Sequence, residues 1–190
     1  MLNSDILNED QLARQGEQIA EVNERLSGRS QEFRVLRSVE LNFSPEGAGD
    51  MDPAALRKLE VVLGCFYSAL RRKENQTDRY LAALRTPSIH ILGHPRGRIY
   101  NFRLGLTADW SRVFGTAAQL GTAVEIDCYP DRQDLSIDLL AIARKEGCHM
   151  SLGNDSHGAS QLRFMDLGCQ LIDCCNGLQQ FVNVGAEDAV

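Results

Sequence analysis

The sequence predicts an α/β protein built of repeated parallel βα units, and three observations carry that prediction. Short, continuously apolar runs alternate with longer segments whose apolar positions recur at helical spacing. Helical segments close on a glycine, as at Gly121 and Gly147, and pass at once into an apolar run. The alternation continues without a sequence repeat, a low-complexity tract or an interdomain linker, so residues 1–190 read as a single domain.

In NEDQLARQGEQIAEVNERLSG, Leu12, Ile19, Val22 and Leu26 share one helical face and Gly28 ends the helix. FRVLRSVELNF places Val35, Val39 and Leu41 in a strand-like pattern, and SPEGAGDMDP is turn-rich. Pro53 suits the first position of a brief helix, PAALRKLE, with Asp52 as its cap. VVLGCFYSAL is apolar almost throughout and reads as a buried strand. NQTDRYLAALR is then a helix, SIHILGHP a strand, ADWSRVFGTAAQLG a helix and TAVEIDCYP a strand stopped by Pro130. SIDLLAIARKEG, CHMSLGND and ASQLRFMDLGCQLIDCC complete the series as helix, strand and long helix. Five strands result, each followed by a helix except where the turn-rich connection intervenes.

Composition narrows the function classes. A net charge of −6 and a pI of about 5.2 argue against a broadly basic nucleic-acid surface, while leaving room for a local basic patch. No apolar run reaches the ~18 residues of a membrane span, and the start, MLNSDILNEDQ, is polar, so a cytoplasmic protein without membrane contact is expected. The six cysteines have no C-x-x-C spacing, and several lie in apolar runs, where a reduced thiol packs as a small hydrophobe. The adjacent Cys174 and Cys175 are the one pair placed to bind metal or oxidise.

In parallel βα folds, the strand C-termini and the loops behind them carry the chemistry. Read in order, the five strand ends offer Glu40, Tyr67, His94, then Glu125 with Asp127, then Asp155 with His157. Metal-capable side chains thus recur at four of the five ends. A period of two turns His90 inward with His94, either extending the site or as a satisfied interior histidine, whereas His149 starts its strand and has no role. Glu125 and Asp127 share a face and either attract a cation or pair with Arg132 or Arg98. Arg96, Arg98, Arg103 and Arg132 fall on loops of the same face. Forked guanidinium groups there suit a phosphate, and ion pairs with Glu125, Asp131 and Asp134 are the competing use.

HILGHPRGR, EIDCYPDRQDL and NDSH, in this order and spacing, resemble the later motifs of the PHP (polymerase and histidinol phosphatase) family of metal-dependent phosphoesterases. The likeness is nearest to the C-terminal PHP domain of bacterial family X DNA polymerases and runs from about Asn8 to near Asn183. It implies a distorted (β/α)7 barrel with zinc, manganese or iron at the strand C-termini, activating water against a phosphate ester. It also implies that Glu40, His94, Asp155 and His157 are metal ligands and that Arg96, Arg98 and Arg132 face substrate phosphate.

The family's opening strands carry H-x-H and D-H ligands, and no histidine precedes His90 here. A later family histidine corresponds to Tyr67, which coordinates only after losing a proton of pKa about 10. The expectation is therefore an incomplete, distorted barrel of about five parallel strands with flanking helices, shortened at the N-terminus relative to the family, with one divalent ion at most. Two functional readings follow. One is a phosphatase- or nuclease-type phosphoesterase with a reduced metal site, acting on a phosphoester small molecule or a nucleic-acid end. The other is a non-catalytic module binding a partner or a phosphorylated ligand, associated with DNA polymerase or repair, its ligand-type side chains satisfied by hydrogen bonds and water. An open sheet has unpaired edges, which a second copy or a missing N-terminal partner would cover.

Overall fold

The computed structural model describes residues 8–27 and 33–174. Five parallel strands form one sheet in sequence order: β1 (Ser38–Phe43), β2 (Val61–Phe66), β3 (Ile91–Leu92), β4 (Ala123–Asp127) and β5 (Met150–Gly153). Helices α1 (Glu9–Ser27), α2 (Pro53–Leu56), α3 (Thr77–Leu84), α4 (Trp110–Leu120), α5 (Ile137–Lys145) and α6 (Met165–Cys174) flank it. An all-parallel sheet whose neighbours are consecutive in the chain is compatible with a βα barrel left open.

Local chemistry sets the element ends. Asn8 and Gln11 exchange backbone-to-side-chain hydrogen bonds of 2.8 and 2.9 Å, a capping box for α1. Asp52 and Asp109 accept from Ala54 N and Arg112 N at 2.6 and 3.1 Å, capping α2 and α4. Gly121 and Gly147, at φ 71° and 73°, turn the chain out of α4 and α5 in the left-handed conformation that glycine adopts without a Cβ penalty. The predicted end of the first helix at Gly28 and the Cys174–Cys175 pair lie outside the described residues or side chains.

Several elements are shorter than the sequence pattern implies. Strand β1 starts at Ser38 because the preceding segment is tied elsewhere: the Asn23 amide of α1 both donates to and accepts from the Val35 backbone at 2.8 Å. Arg37 N donates to Glu60 Oε2 at 2.9 Å. Strand β2 stops at Phe66, three residues before Ala69 at φ 55°. Strand β3 keeps two residues between Ser88 at φ 74° and His94 at φ 23°. The last helical segment opens as a 3-10 turn, Ala159–Phe164. Of the cysteines, Cys65, Cys128 and Cys148 are buried as expected, and Cys169 is exposed.

Alternation along the strands sorts the two faces. Leu41, Phe43, Val62, Phe66, Leu92, Val124, Ile126 and Met150 face the helices and form the main core. An aromatic series, Phe43, Phe66, Tyr80, Trp110 and Phe114, runs through that layer with successive ring centroids 5.1–5.5 Å apart. On the other face Val61, Ile91 and Ala123 form a small apolar cluster at the N-terminal half of the sheet. The C-terminal half of that face carries Glu40, Cys65, Glu125 and Asp127, a polar concavity on an apolar floor.

Candidate metal centre

The parity of β3 corrects the prediction that His90 and His94 turn inward together. Ile91 joins the inner cluster, so the preceding His90 points the other way; it is exposed, and its Nδ1 accepts from Val62 N at 3.1 Å. His94 lies beyond the strand and reaches the inner face because its left-handed φ of 23° bends the chain there. Such a conformation is costly for a residue with a Cβ and persists only where its surroundings hold it. Here two contacts do so: His94 N donates to Glu125 Oε2 at 2.6 Å, and Nε2 meets Glu40 Oε1 at 2.9 Å.

Glu40, from the middle of β1, is the centre of the cluster. Burial would raise its pKa, but hydrogen bonding to His94 and the Cys65 thiol, the charge of His94 and the Tyr67 hydroxyl bring it down to about 2. Burial would lower His94, yet Glu40 and the negative charge of Glu125 lift it to about 9. The two form an imidazolium–carboxylate pair with the ring 7% exposed. Half-exposed Tyr67 stacks edge-on to His94 at 5.7 Å, and burial of its hydroxyl together with Glu40 pushes its pKa far above the usual tyrosine range. A phenol so held stays protonated beside Glu40.

Glu125 is buried beside this pair, and one glycine makes room for it while another makes room for Cys65. A Cβ at Gly153 would fall 1.9 Å from Glu125 Oε1, and one at Gly93 would fall 2.4 Å from Cys65 Sγ. Burial raises Glu125 to about 7 against the pull of His94, and burial likewise raises Asp127 to about 6.

The four predicted ligands divide into two pairs. Glu40 and His94 converge. Asp155, left-handed at φ 43°, is instead in ion-pair contact with Arg132 Nη1, which also lies 3.5 Å from Asp127 Oδ2. His157 is 74% exposed, with Nδ1 2.7 Å from the Asp155 carbonyl oxygen, and its ring nitrogens are not among the ligand atoms that cluster with Glu40 and His94.

The residue that joins Glu40 and His94 is Cys65. One ligand atom from each of the three lies within 4.8 Å of the others. Carboxylate, thiolate and imidazole suit a zinc-type ion, with a fourth position left open, so the donor set fits a single divalent cation. Without a cation, burial and the charges of Glu40 and Glu125 keep the thiol protonated. Sequence reasoning placed Cys65 among packing cysteines, yet the signal was present: Cys65 lies two positions before Tyr67 on a strand, hence on the same face.

The predicted phosphate arginines also separate. Arg98 Nε donates to the Arg132 carbonyl at 3.0 Å, with a second donation to the Gln133 carbonyl. Arg96 Nη2 donates to the Leu104 carbonyl at 3.0 Å, while its backbone N–H donates to buried Asp134 at 2.8 Å. These two brace the loops, and Arg132 alone of the three reaches the carboxylates of the concavity.

Fold and site together define a parallel α/β protein with a carboxylate-rich, metal-competent concavity at its strand C-termini. No family model matches the chain. It is 28% identical over 144 residues to the DNA polymerase/3'-5' exonuclease PolX of Bacillus subtilis, which covers 75% of this chain and 25% of PolX. It is 24% identical over 148 residues to a probable phosphatase of Caldicellulosiruptor saccharolyticus, covering 73% of this chain and 59% of that one. A probable phosphatase of Caldanaerobacter subterraneus is 22% identical over 162 residues, covering 82% and 63% respectively. The chain thus spans a quarter of PolX and about three fifths of the phosphatases. These similarities agree with the PHP resemblance carried by the sequence motifs. Among the described residues no helix is long and apolar enough to cross a membrane.

Proposed function

We propose that the protein is a PHP-type metal-dependent phosphoesterase, of phosphatase or nuclease type, with a metal site reduced to one divalent ion held by Glu40, Cys65 and His94. The convergence of these three donors at adjoining strand ends carries the reading, and the similarity to probable phosphatases and to PolX supports it. A bound divalent cation supplies Lewis acidity at a phosphoryl oxygen. Glu125 fixes the His94 backbone at 2.6 Å, so the imidazole is presented in one orientation. Arg132, at the mouth with its side chain 23% exposed, is the guanidinium placed to exchange its carboxylate partners for a phosphate.

Metal analysis of protein purified without chelator tests the site: about one zinc or manganese per chain is expected, with loss in Glu40→Gln, Cys65→Ser and His94→Ala. Turnover of an aryl phosphate with added manganese tests the activity. A wild-type rate no higher than that of a Glu40→Gln, His94→Ala double variant removes the enzyme reading.

The occupation of Asp155 by Arg132 and the exposed ring of His157 favour a second reading, a non-catalytic module that binds a phosphorylated ligand or partner. Metal binding without turnover would select it.

A further inference from the structure

The loops leaving β2 and β3 begin at Tyr67 and Gly93 and lie side by side, joined by the Tyr67–His94 stack and by Arg71 against the Phe102 ring. Residues Ile99 and Arg103 close the second loop on itself, with Ile99 N to Arg103 O at 3.1 Å and Arg103 N to Ile99 O at 2.9 Å. Its tip is held from outside as well, since Tyr100 N donates to the Asp131 carbonyl at 2.7 Å and Tyr100 Oη to Gln133 Oε1 at 3.1 Å. On this fixed turn Tyr100 is 47%, Phe102 60% and Leu104 87% exposed.

Each aromatic ring has a guanidinium against it. Arg98 lies 4.6 Å from the Tyr100 centroid, and Arg71, from the neighbouring loop, lies 4.5 Å from that of Phe102. Arg71, Arg72 and Lys73 are exposed on the first loop, while Arg96, Arg98 and Arg103, half-buried on the second, donate to the carbonyls of Leu104, Arg132, Gln133 and Gly97; none of the six makes an ion pair among the described residues. In a chain of net charge −6, three exposed cations, Arg71, Arg72 and Lys73, beside exposed rings form a local surface opposite in sign to the whole. A polyanion supplies the missing charge, and ring faces flanked by guanidinium groups suit flat, unpaired bases. An acidic peptide has no such faces, and in a duplex the bases stack on each other.

We propose that the two loops, through Phe102, Tyr100 and the exposed cations Arg71, Arg72 and Lys73, bind single-stranded nucleic acid by base stacking and phosphate contact next to the metal centre. As a choice of substrate class this rests on the phosphoesterase reading; as a binding surface it is tested apart from hydrolysis.

The experiment is fluorescence anisotropy of a labelled oligothymidylate with the full chain in EDTA, across a salt series. Saturable binding is expected, weakening with salt by about 0.7 in logarithmic slope for each phosphate contact. Phe102→Ala is expected to weaken it on the order of tenfold. Arg71→Ala should reduce both affinity and slope, and Arg144→Ala, at an exposed position of α5, should change neither. Loss of binding in Phe102→Ala counts only if its unfolding midpoint is that of wild type, and Tyr100→Ala gives an independent reading of stacking. No saturable binding at low salt overturns the proposal. So does binding that ignores both ring substitutions, or that inorganic polyphosphate competes away as well as unlabelled oligothymidylate does. Tighter association with phosphatidylserine vesicles than with the oligonucleotide would overturn it in favour of a membrane surface. Binding in EDTA with no hydrolysis of either aryl phosphate or oligothymidylate on adding manganese sinks the phosphoesterase reading and leaves the surface intact; hydrolysis without saturable binding sinks only the surface.

Discussion

Replacing Glu125 with glutamine tests the electrostatics of the site through stability. Burial raises this carboxyl from 4.5 to about 7, which at about 1.4 kcal/mol per pH unit is roughly 3 kcal/mol. The folded protein keeps the proton to higher pH than the unfolded chain, so the wild type is favoured below pH 4.5 and loses stability as pH climbs through about 7. Glutamine cannot ionise, and its carbonyl oxygen still accepts the His94 N–H, though less strongly than a carboxylate. The variant should therefore match the wild type near pH 4 and exceed it by about 1–3 kcal/mol at pH 8. Urea unfolding followed by the single tryptophan, Trp110, packed against Tyr80 and Phe114, gives the measurement. His94, held up to about 9 partly by the charge of Glu125, loses its own contribution as pH rises from 6.5 through 9; in the variant that loss sets in at lower pH and trims the gain at pH 8. A difference that is the same at both pH values, or a variant weaker at pH 8, would refute the assignment of Glu125 as a buried, reluctant anion.

Gly153→Ala places a Cβ 1.9 Å from Glu125 Oε1, so urea unfolding should show a loss of about 1–3 kcal/mol; an unchanged midpoint would mean the carboxylate moves aside freely. His157→Ala removes a ring that is 74% exposed, and stability should stay within about 0.5 kcal/mol with metal content equal to wild type, whereas Cys65→Ser should lose metal. Metal loss in His157→Ala would restore His157 as a ligand.

The fold was legible because periodicity survives without partners: apolar runs, glycine helix ends and the aspartate cap at Asp52 each act locally. What could not be read was direction. His94 enters the site through a left-handed bend, and nothing in GHP tells a strand reading that β3 ends two residues earlier. His90 shows the converse, since extending the two-residue period across that bend assigns it the wrong face. Asp155 has the residue type and the strand end expected of a ligand, but its nearest charge comes from Arg132, on the loop after β4. Pairing across loops is a tertiary fact, set by the order of strands in space. Cys65 was visible as a face-mate of Tyr67 but not as a neighbour of Glu40, which needs the β1–β2 register.

That register leaves a charge imbalance with a measurable consequence. Glu40, Glu125, Asp127 and Asp155 share the concavity with two cationic side chains, His94 and Arg132. Arg132 bridges Asp127 and Asp155, so it competes with any metal for carboxylate oxygen. Arg132→Gln keeps a donor but removes the charge. Divalent cations should bind more tightly, because Asp155 is released toward a site already holding Glu40, Cys65 and His94. The same change leaves buried Asp127 without its counter-charge. Since Arg132 is itself only partly buried, the expected destabilisation without metal is about 1–3 kcal/mol, below that of a fully buried broken pair, and it should be recovered on adding zinc as binding stabilises the folded state. Zinc titration by calorimetry and urea unfolding with and without zinc read both halves. A variant that binds zinc no better than wild type would mean that Asp155 cannot turn to the metal, and that Arg132 serves the loop alone.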